Sequence, residues 1–302
     1  MKELLEKFVR HLAVERGVSP LTVRNYTSDI QGFLDYLDQN GIENLEAVDR
    51  SVVRRYLGQL HAQGFSRGSI SRKLSALRSF YRYLSRQGLV GSEPLSALSA
   101  PKIEKRLPKF LSKEEASRLV EAPDASTPKG LRDKAMLELL YAAGLRVSEI
   151  VGLDTGDIDL VSRQIRVWGK GSKERMGLIG KPAAEVLKVY LEHGRVKLMG
   201  RKETRALFLN RSGGRISERS VQRLIAEHAR RAGLDMGVHP HMMRHTYATH
   251  LLDGGADLRV VQDLLGHAKL STTQVYTHVT QNQIRRSYLA AHPRSSAHKG
   301  EE

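Results

Sequence analysis

A break in the helical pattern between residues 91 and 111 divides the chain into two parts. This segment, GSEPLSALSAPKIEKRLPKFL, combines three prolines with small residues and a basic centre, a composition typical of an extended linker. The 302 residues are enough for a separate hydrophobic core on each side of it. We therefore predict a first domain at 1–100, a basic linker at 101–111, a second domain at 112–291 and a disordered tail at 292–302.

Apolar side chains at helical spacing predict that the first domain consists of helices. The stripe of its first helix is formed by Leu4, Leu5, Phe8, Val9 and Leu12. A second helix begins at Ser19-Pro20, with serine as the cap and proline at the first helical position. A later helix from Ser69 is predicted to bury Ile70, Leu74, Leu77, Tyr81 and Leu84.

Residues 50–86 form the most basic long stretch of the chain and contain no acidic residue. On the helix from Ser69, arginine and serine occupy the face opposite the apolar stripe, and both residue types commonly contact DNA phosphates. A solvated helix face is the ordinary explanation for a charge run, but the complete absence of acids favours DNA here. The arginines of this helix that we assign to DNA are Arg72, Arg82 and Arg86.

The second domain is predicted to open with helices. A capping box, Ser112-Lys-Glu-Glu115, marks its start. A helix over about 130–143 stops at Gly144, and Arg146 lies in the turn before the next short helix. An arginine held at such a junction is well placed for a fixed function.

A hairpin and a further basic helix follow. Residues 164–168 and 175–179 alternate like two strands, joined by a turn that places Lys170 between two glycines. A helix over 217–232 leaves Arg219 and Arg223 outside, and we assign both to DNA. The predicted fold class is therefore mainly α, with an N-terminal helical domain and a mixed α/β second domain that contains a small antiparallel sheet.

The composition limits the partners and the compartment. Lysine and arginine number 49 against 33 acidic residues, which gives a formal charge of +16 and a pI near 10.1. That charge favours nucleic acid, and the absence of a long apolar run argues against a membrane. With no cysteine there is no disulfide, thiol nucleophile or cysteine-based zinc site, so we expect a cytoplasmic protein that is indifferent to redox conditions.

The stretch 239–276 holds the residues best suited to chemistry. Six of the 12 histidines lie between His239 and His278. His241 and Arg244 are three residues apart and share one helix face. His267 follows a glycine that can end a helix, and Tyr276 lies on a polar helix face. Two histidines, an arginine and a tyrosine suit a phosphate attacked by a phenol better than they suit a metal.

Such a set can perform a transesterification. A tyrosine hydroxyl has a pKa of about 10 in model peptides, so it needs help to act as a nucleophile. Guanidinium and imidazole groups can stabilise the charge that develops on the phosphate, and a lysine can protonate the leaving oxygen. A covalent phosphotyrosine conserves the energy of the phosphodiester, so rejoining requires no ATP.

The chain resembles the tyrosine recombinase (phage-integrase-like) superfamily and, within it, the Xer recombinases that resolve chromosome dimers. The resemblance covers nearly the whole chain, beginning with SPLTVRNYTSDI in the helical core-binding (SAM-like) domain. Its catalytic motifs are RDKAMLELLYAAGLRVSEIVGL, GKGSKER, HMMRHTYATHLLDGGADLRVVQDLLGH and LSTTQVYTHV. Each motif alone is weak evidence, but the combination is very specific.

The resemblance implies a role for each residue of the site. Tyr276 is expected to be the nucleophile and to form a 3′-phosphotyrosine. Arg146 and Arg244 would clamp the scissile phosphate, and Lys170 would be the general acid. His241 and His267 would assist with hydrogen bonding and proton movement. His239 is a further imidazole near His241 and leaves the assignment between these two open.

The resemblance also implies the partners. Four protomers, identical or paired with a paralogous Xer recombinase, would act on two copies of an inverted-repeat site in double-stranded DNA through a Holliday junction. A septal DNA translocase is a further expected partner, and no metal or other cofactor is expected. The family is known to dock its C-terminal helix on a neighbouring protomer.

Other functions remain as alternatives. His241 and His245 have the spacing of a zinc-binding helix, but Met242 stands where the catalytic glutamate of that motif belongs. A DNA-binding protein without activity would have lost at least one of the six expected catalytic residues, and all six are present. A type IB topoisomerase would relax DNA without strand exchange, while phage and integron integrases often carry additional segments.

Overall fold

The computed structural model describes residues 1–91, 95, 98, 109–169, 174–266 and 281–295, without the side chains of 281–283. The chain divides into two compact units, Met1–Arg106 and Leu107–Glu302. Most of the segment predicted to be a linker lies outside the described residues, as do Lys170, His267 and Tyr276. The extended form of the linker therefore stays a prediction.

The first unit is helical, as predicted. Its helices are α1 (Lys2–Arg10, extended by a π-helical turn His11–Glu15), α2 (Pro20–Gln39), α3 (Arg50–Ala62) and α4 (Arg67–Arg86). Ser19 caps α2 through its side chain, and Pro20 occupies the first helical position. Helix α4 begins two residues before the predicted Ser69, because Ser66 accepts a hydrogen bond from the Ser69 amide and so caps the helix earlier.

Aromatic residues form the centre of the core in the first unit. The rings of Phe8 and Phe80 meet edge to face with centroids 5.3 Å apart, and those of Phe33 and Tyr56 do so at 5.0 Å. All five positions predicted to be buried on α4 are buried. The apolar stripe of the sequence therefore identified the inner face of this helix.

The second unit is mixed, as predicted. Its helices are α5 (Lys113–Glu121), α6 (Pro128–Ala143), α7 (Val147–Gly152), α8 (Lys181–Val189, followed by a π-helical turn Tyr190–Arg195), α9 (Val196–Met199), α10 (Glu218–Arg231), α11 (Pro240–Asp253), α12 (Leu258–Leu265) and α13 (Gln281–Ala291). Its strands are β1 (Ile158–Asp159), β2 (Gln164–Trp168) and β3 (Glu174–Leu178). They form an antiparallel sheet in the order β1-β2-β3.

Helix α6 lies at the centre of the second unit. It is buried on nearly every side, in contact with α5, α8 and α11. Its buried residues therefore lie on all sides rather than in one stripe, and they include the charged side chains of Arg132, Asp133 and Glu138. The predicted capping box at Ser112 and Glu115 is present and begins α5.

The boundary predicted at 291 requires a correction, because 292–295 pack against the second unit. His292 and Ser295 are buried, and the His292 ring contacts the carbonyl oxygen of Tyr141 at 3.2 Å. Arg294 pairs with Glu138 on α6. These contacts are long-range, so a polar, proline-containing sequence did not reveal them, and residues 296–302 lie outside the described part of the chain.

Across the residues that the structure describes, no helix combines the length and the apolar character needed to cross a membrane.

Candidate active site

Arg146 is placed by the turn between α6 and α7. Helix α6 ends at Gly144, whose φ of +57° belongs to the left-handed region. A Cβ at Gly144 would also lie 2.3 Å from the ring of Tyr247, so glycine is required there for two reasons. The chain then turns so that Arg146 becomes the N-cap of α7, with its side chain 37% exposed.

Glu149 is the buried acid around which the site is built. One of its oxygens accepts from the Arg146 guanidinium at 2.6 Å, and the other accepts from the Arg146 amide at 2.8 Å. The second oxygen also accepts from Arg175 Nη2 at 2.9 Å and lies 3.8 Å from Arg244 Nη1. Burial by itself raises the pKa of Glu149, but Arg175 and then Arg146 outweigh it and hold the pKa below its usual value.

Arg244 is buried in α11, and its guanidinium is held by main-chain carbonyls. It donates to the oxygen of Gly144 and to that of Leu265, each at 2.6 Å. These carbonyls stand at the C-terminal ends of α6 and α12, where the helix dipole favours a positive charge. Burial, followed by the like charge of Arg146, lowers the pKa of Arg244 to about 10, so it remains a cation at neutral pH.

His241 lies one turn before Arg244, in the first turn of α11, and is exposed. The neighbouring His239 caps the helix: its Nδ1 accepts a hydrogen bond from the Met242 amide at 3.2 Å. The two rings are 6.4 Å apart. The capping bond of His239 favours His241 as the imidazole that serves the site, although no contact with a phosphate tests the choice.

The structure brings Arg146 and Arg244 together around Glu149, and it places His241 on the helix of Arg244. Lys170, His267 and Tyr276 lie outside the described residues, but the elements that flank them are described. In the sequence, Lys170 lies between β2 and β3. Gly266, at a φ of +66°, ends α12 as predicted, immediately before His267 in the sequence.

Sequence reasoning missed Glu149 and Arg175. A signal for each was present: Glu149 follows Arg146 by three residues, the spacing of a capping box, and Arg175 alternates with Gly177 on the inner face of β3. Among the described residues, no group of three or more histidine, aspartate or glutamate side chains could hold a metal ion.

The arginines assigned to DNA are all exposed: Arg72, Arg82, Arg86, Arg219 and Arg223. Arg72 differs from the others because it pairs with Asp29, a buried acid of α2 that also contacts Lys73 at 3.1 Å. Part of the charge of Arg72 is therefore already neutralised within the first unit. No contact in the structure tests the assignment of these five residues to DNA.

Comparison with known proteins identifies the family. The model of the phage integrase family matches residues 109–283, and that of its N-terminal SAM-like domain matches residues 5–88. The tyrosine recombinase XerC of Pelotomaculum thermopropionicum is 45% identical over 300 residues, which cover 96% of this chain and 98% of the relative. The chain belongs to the phage integrase family. The resemblance inferred from the motifs is thus confirmed.

Further relatives within the phage integrase family match nearly the whole chain. The tyrosine recombinase XerC of Bacillus subtilis is 43% identical, with 98% of each chain covered. The tyrosine recombinase XerD of Staphylococcus epidermidis is 40% identical, with 98% of this chain and all of the relative covered. Both XerC and XerD proteins are therefore similar to this chain over its full length.

Solved structures share the fold of this member of the phage integrase family. The XerH site-specific recombinase bound to its palindromic difH substrate, in a post-cleavage complex, gives a TM-score of 0.70 at 24% identity over 91% of this chain and 81% of that one. A lambda integrase dimer bound to a core site gives 0.68 at 19% identity over 93% and 99%. At these identities the likeness concerns the fold.

Proposed function

We propose that this chain is a site-specific DNA recombinase that cuts and rejoins DNA through a 3′-phosphotyrosine and resolves chromosome or plasmid dimers at a dif-like site. The observation that carries the proposal is the convergence of Arg146 and Arg244 around one buried carboxylate. Family membership and the XerC and XerD relatives support it.

The electrostatics of the site suit a phosphodiester. Three guanidiniums surround the single carboxylate of Glu149, so the cluster keeps a surplus of positive charge. Arg244 donates to two neutral carbonyls, and its nearest acid, Glu149, lies 3.8 Å away, beyond hydrogen-bonding distance, so its charge is only partly neutralised. Guanidiniums held in place before the reaction stabilise the charge that develops on the phosphate without further reorganisation.

In the proposed reaction, the hydroxyl of Tyr276 attacks the scissile phosphorus. The bond from tyrosine oxygen to phosphorus forms as the bond to the 5′ oxygen breaks, and the lysine ammonium of Lys170 supplies the proton to that oxygen. Arg146 and Arg244 hold the non-bridging oxygens, while the imidazoles of His241 and His267 donate hydrogen bonds to the phosphate and accept the proton that leaves the Tyr276 hydroxyl. Attack by a 5′ hydroxyl from the second DNA site then releases Tyr276 and joins the strands.

The proposed partners follow from this reaction. The DNA is a short inverted repeat, contacted by Arg72, Arg82 and Arg86 in the first unit and by Arg219 and Arg223 in the second. Four protomers would assemble on two sites, alone or with a paralogous Xer recombinase, and a septal DNA translocase could control them. Relatives of this fold have been solved as a dimer on a core site and as a tetramer on a Holliday junction. The proposed location is the cytoplasm.

Covalent trapping tests the proposed function. The full chain is incubated, in the presence of EDTA, with a nicked suicide duplex that carries a candidate inverted-repeat site and that the chain binds in a gel shift. We expect a protein–DNA adduct on a denaturing gel for the wild type and none for Tyr276→Phe. Arg244→Gln is expected to bind the duplex but to form little adduct.

Two results would contradict the proposal. Absence of an adduct on a site that the chain binds tightly, even with a paralogue or translocase domain added, would indicate a DNA-binding protein without activity. Relaxation of supercoiled plasmid in the absence of strand exchange would indicate a topoisomerase instead.

A further inference from the structure

Arg175 is a largely buried arginine, unlike the other charged side chains described in the strands β2 and β3. It lies in β3 opposite Val167 of β2, and its side chain is 11% exposed. By contrast, Arg166 and Glu174 of the same hairpin are exposed. Removing a guanidinium from water costs free energy, so a buried arginine requires strong compensating contacts.

The contacts of Arg175 connect three elements of the site. Its Nη2 donates to Glu149 on α7 at 2.9 Å, and its Nη1 donates to the carbonyl oxygen of Leu264 at the end of α12 at 2.8 Å. Each element leads to an expected catalytic residue: α7 begins after Arg146, α12 precedes His267 and the hairpin contains Lys170. The guanidinium of Arg175 therefore links β3, α7 and α12, the three elements that flank the expected catalytic residues.

The backbone at the end of α12 lies close to the side chain of Arg175. A Cβ at Gly266 would lie 2.6 Å from Cδ of Arg175, and the φ of this glycine is +66°. The glycine thus lets the chain turn and lets the arginine side chain pass close to the backbone. This fit holds the arginine against the residue that directly precedes His267 in the sequence.

Arg175 also determines which charge Glu149 neutralises. Its Nη2 is 2.9 Å from Oε2 of Glu149, whereas Arg244 Nη1 is 3.8 Å from the same oxygen. Attraction between charges falls with distance, so the nearer guanidinium takes the larger share of the carboxylate's charge. Arg244 stays on its two carbonyls, and its own charge remains available to an anion.

We propose that Arg175 is a positioning residue for DNA cleavage: by binding Glu149 and the end of α12 at once, it holds Glu149 away from Arg244. This role rests on the function proposed above. Arg175 acts through Arg244 and Arg146 and does not itself touch the DNA. Without it, Glu149 pairs with Arg244 and reduces the positive charge that faces the scissile phosphate.

The test compares Arg175→Met and Arg175→Lys with Arg195→Met and Arg195→Lys. Arg195 is a matched control because it is half-buried and joins the carbonyls of Thr204 and Ala206 outside the site. Single-turnover adduct formation is measured on the nicked duplex at saturating protein, together with DNA affinity and thermal unfolding. We expect Arg175→Met to slow cleavage about 100-fold and Arg175→Lys about 10-fold, the range for lost preorganised electrostatic contacts.

The same duplex with a neutral methylphosphonate at the scissile position separates a charge role from a structural one. If Arg175 keeps Arg244 available to a negative charge, the defect of Arg175→Met should shrink several-fold on the neutral substrate. A loosened site would slow both substrates by the same factor. DNA affinity should stay within about threefold of wild type, since the arginine acts on the charge that develops in the transition state.

Three outcomes would overturn this role: wild-type rates for both Arg175 variants, an equal defect on the charged and neutral substrates, or an equal loss in the Arg195 controls. If Arg175→Met fails to fold, Arg175→Lys carries the same comparison. A wild-type chain that forms no adduct on a site it binds, even with a paralogue or translocase domain added, refutes the proposed function, and the role of Arg175 falls with it. If the wild type forms the adduct and the Arg175 variants form it at the same rate, only the role of Arg175 is refuted.

Discussion

Glu149 and Glu138 are both buried acids of the second unit, and both contact arginine, but their surroundings are electrostatically opposite. Three guanidiniums surround Glu149, those of Arg146, Arg175 and Arg244. Glu138 meets one guanidinium, that of Arg294, which Glu121 shares at 3.0 Å. The pKa of Glu149 is held below its usual value, whereas burial raises that of Glu138 to about 7.

The two clusters differ in their balance of charge. At Glu149 three cations meet one acid, so the cluster has surplus positive charge that can attract a further anion. Around Glu138, two acids (Glu138 and Glu121) face two cations (Arg294 and Lys134), and one oxygen of Glu138 has no hydrogen-bond partner among the described residues. This cluster holds residues 292–295 on the second unit, and its charges balance, so it has no surplus positive charge.

The largest effect is expected from an exchange of arginine for glutamine in each cluster. Arg244→Gln should slow single-turnover adduct formation by about 10³-fold, because a preorganised charge at the phosphate is lost. Arg294→Gln should leave cleavage within about threefold at equal occupancy of the DNA, since the expected loss is one of folding stability. A quenched time course on the suicide duplex measures both rates. Similar losses in the two variants would remove the distinction between the clusters.

When the two buried acids are replaced by glutamine, we expect the larger loss of stability at Glu149. Glu149→Gln leaves buried guanidiniums without their counter-ion and should lower the free energy of unfolding by about 3 kcal/mol at pH 8. Glu138→Gln should cost less than about 1 kcal/mol at pH 8, because the folded state already disfavours the charged form of this acid. Urea unfolding of the full chain gives both values, and the comparison fails if Glu138→Gln is the more damaging change.

The pH dependence of stability sharpens the same comparison. The pKa of Glu138 is raised from 4.5 to about 7 in the folded state, so its contribution is complete below pH 4.5 and is lost as the pH rises through 7. The slope cannot exceed about 1.4 kcal/mol per pH unit for one proton. The measured quantity is the unfolding free energy of wild type minus that of Glu138→Gln between pH 4.5 and 8. Parallel curves would show that the acid titrates normally.

His292 makes the subtraction necessary, because burial lowers its pKa to about 3. Its contribution is present above pH 6.5 and is lost as the pH falls, which is the opposite sign to that of Glu138. Since wild type and Glu138→Gln both contain His292, the difference between them removes this effect.

A smaller loss is expected from Gly180→Ala. A Cβ at this position would lie 1.9 Å from the carbonyl oxygen of Arg294, so the segment 292–295 must move. We expect a loss of about 2 kcal/mol, typical of overpacking, together with faster hydrogen exchange in α13. Gly156→Ala is the control, because a Cβ there meets no atom within 4 Å. Equal exchange in the two variants would mean that this contact does not hold the segment.

The two clusters also differ in how far sequence could predict them. Turn position, helical spacing and family motifs predict Arg146, His241 and Arg244 as site residues. Each of these signals is contained in a short stretch of the sequence. Glu149 had a local signal that was overlooked. The pairing of Glu138 with Arg294 joins residues 156 positions apart, and a polar tail gives no periodicity from which to infer it.

Helix periods, caps and glycine stops were enough to predict the helical first unit and the strands of the hairpin, because these features depend on neighbours a few positions apart. The roles expected of the site residues came from the family motifs. Tertiary structure alone decided that Arg175 turns inward to Glu149, that Arg244 rests on the ends of α6 and α12, and that 292–295 are packed. Charges separated by many residues acquire a definite balance only when folding removes water between them, and that balance is set by distances which no local pattern contains.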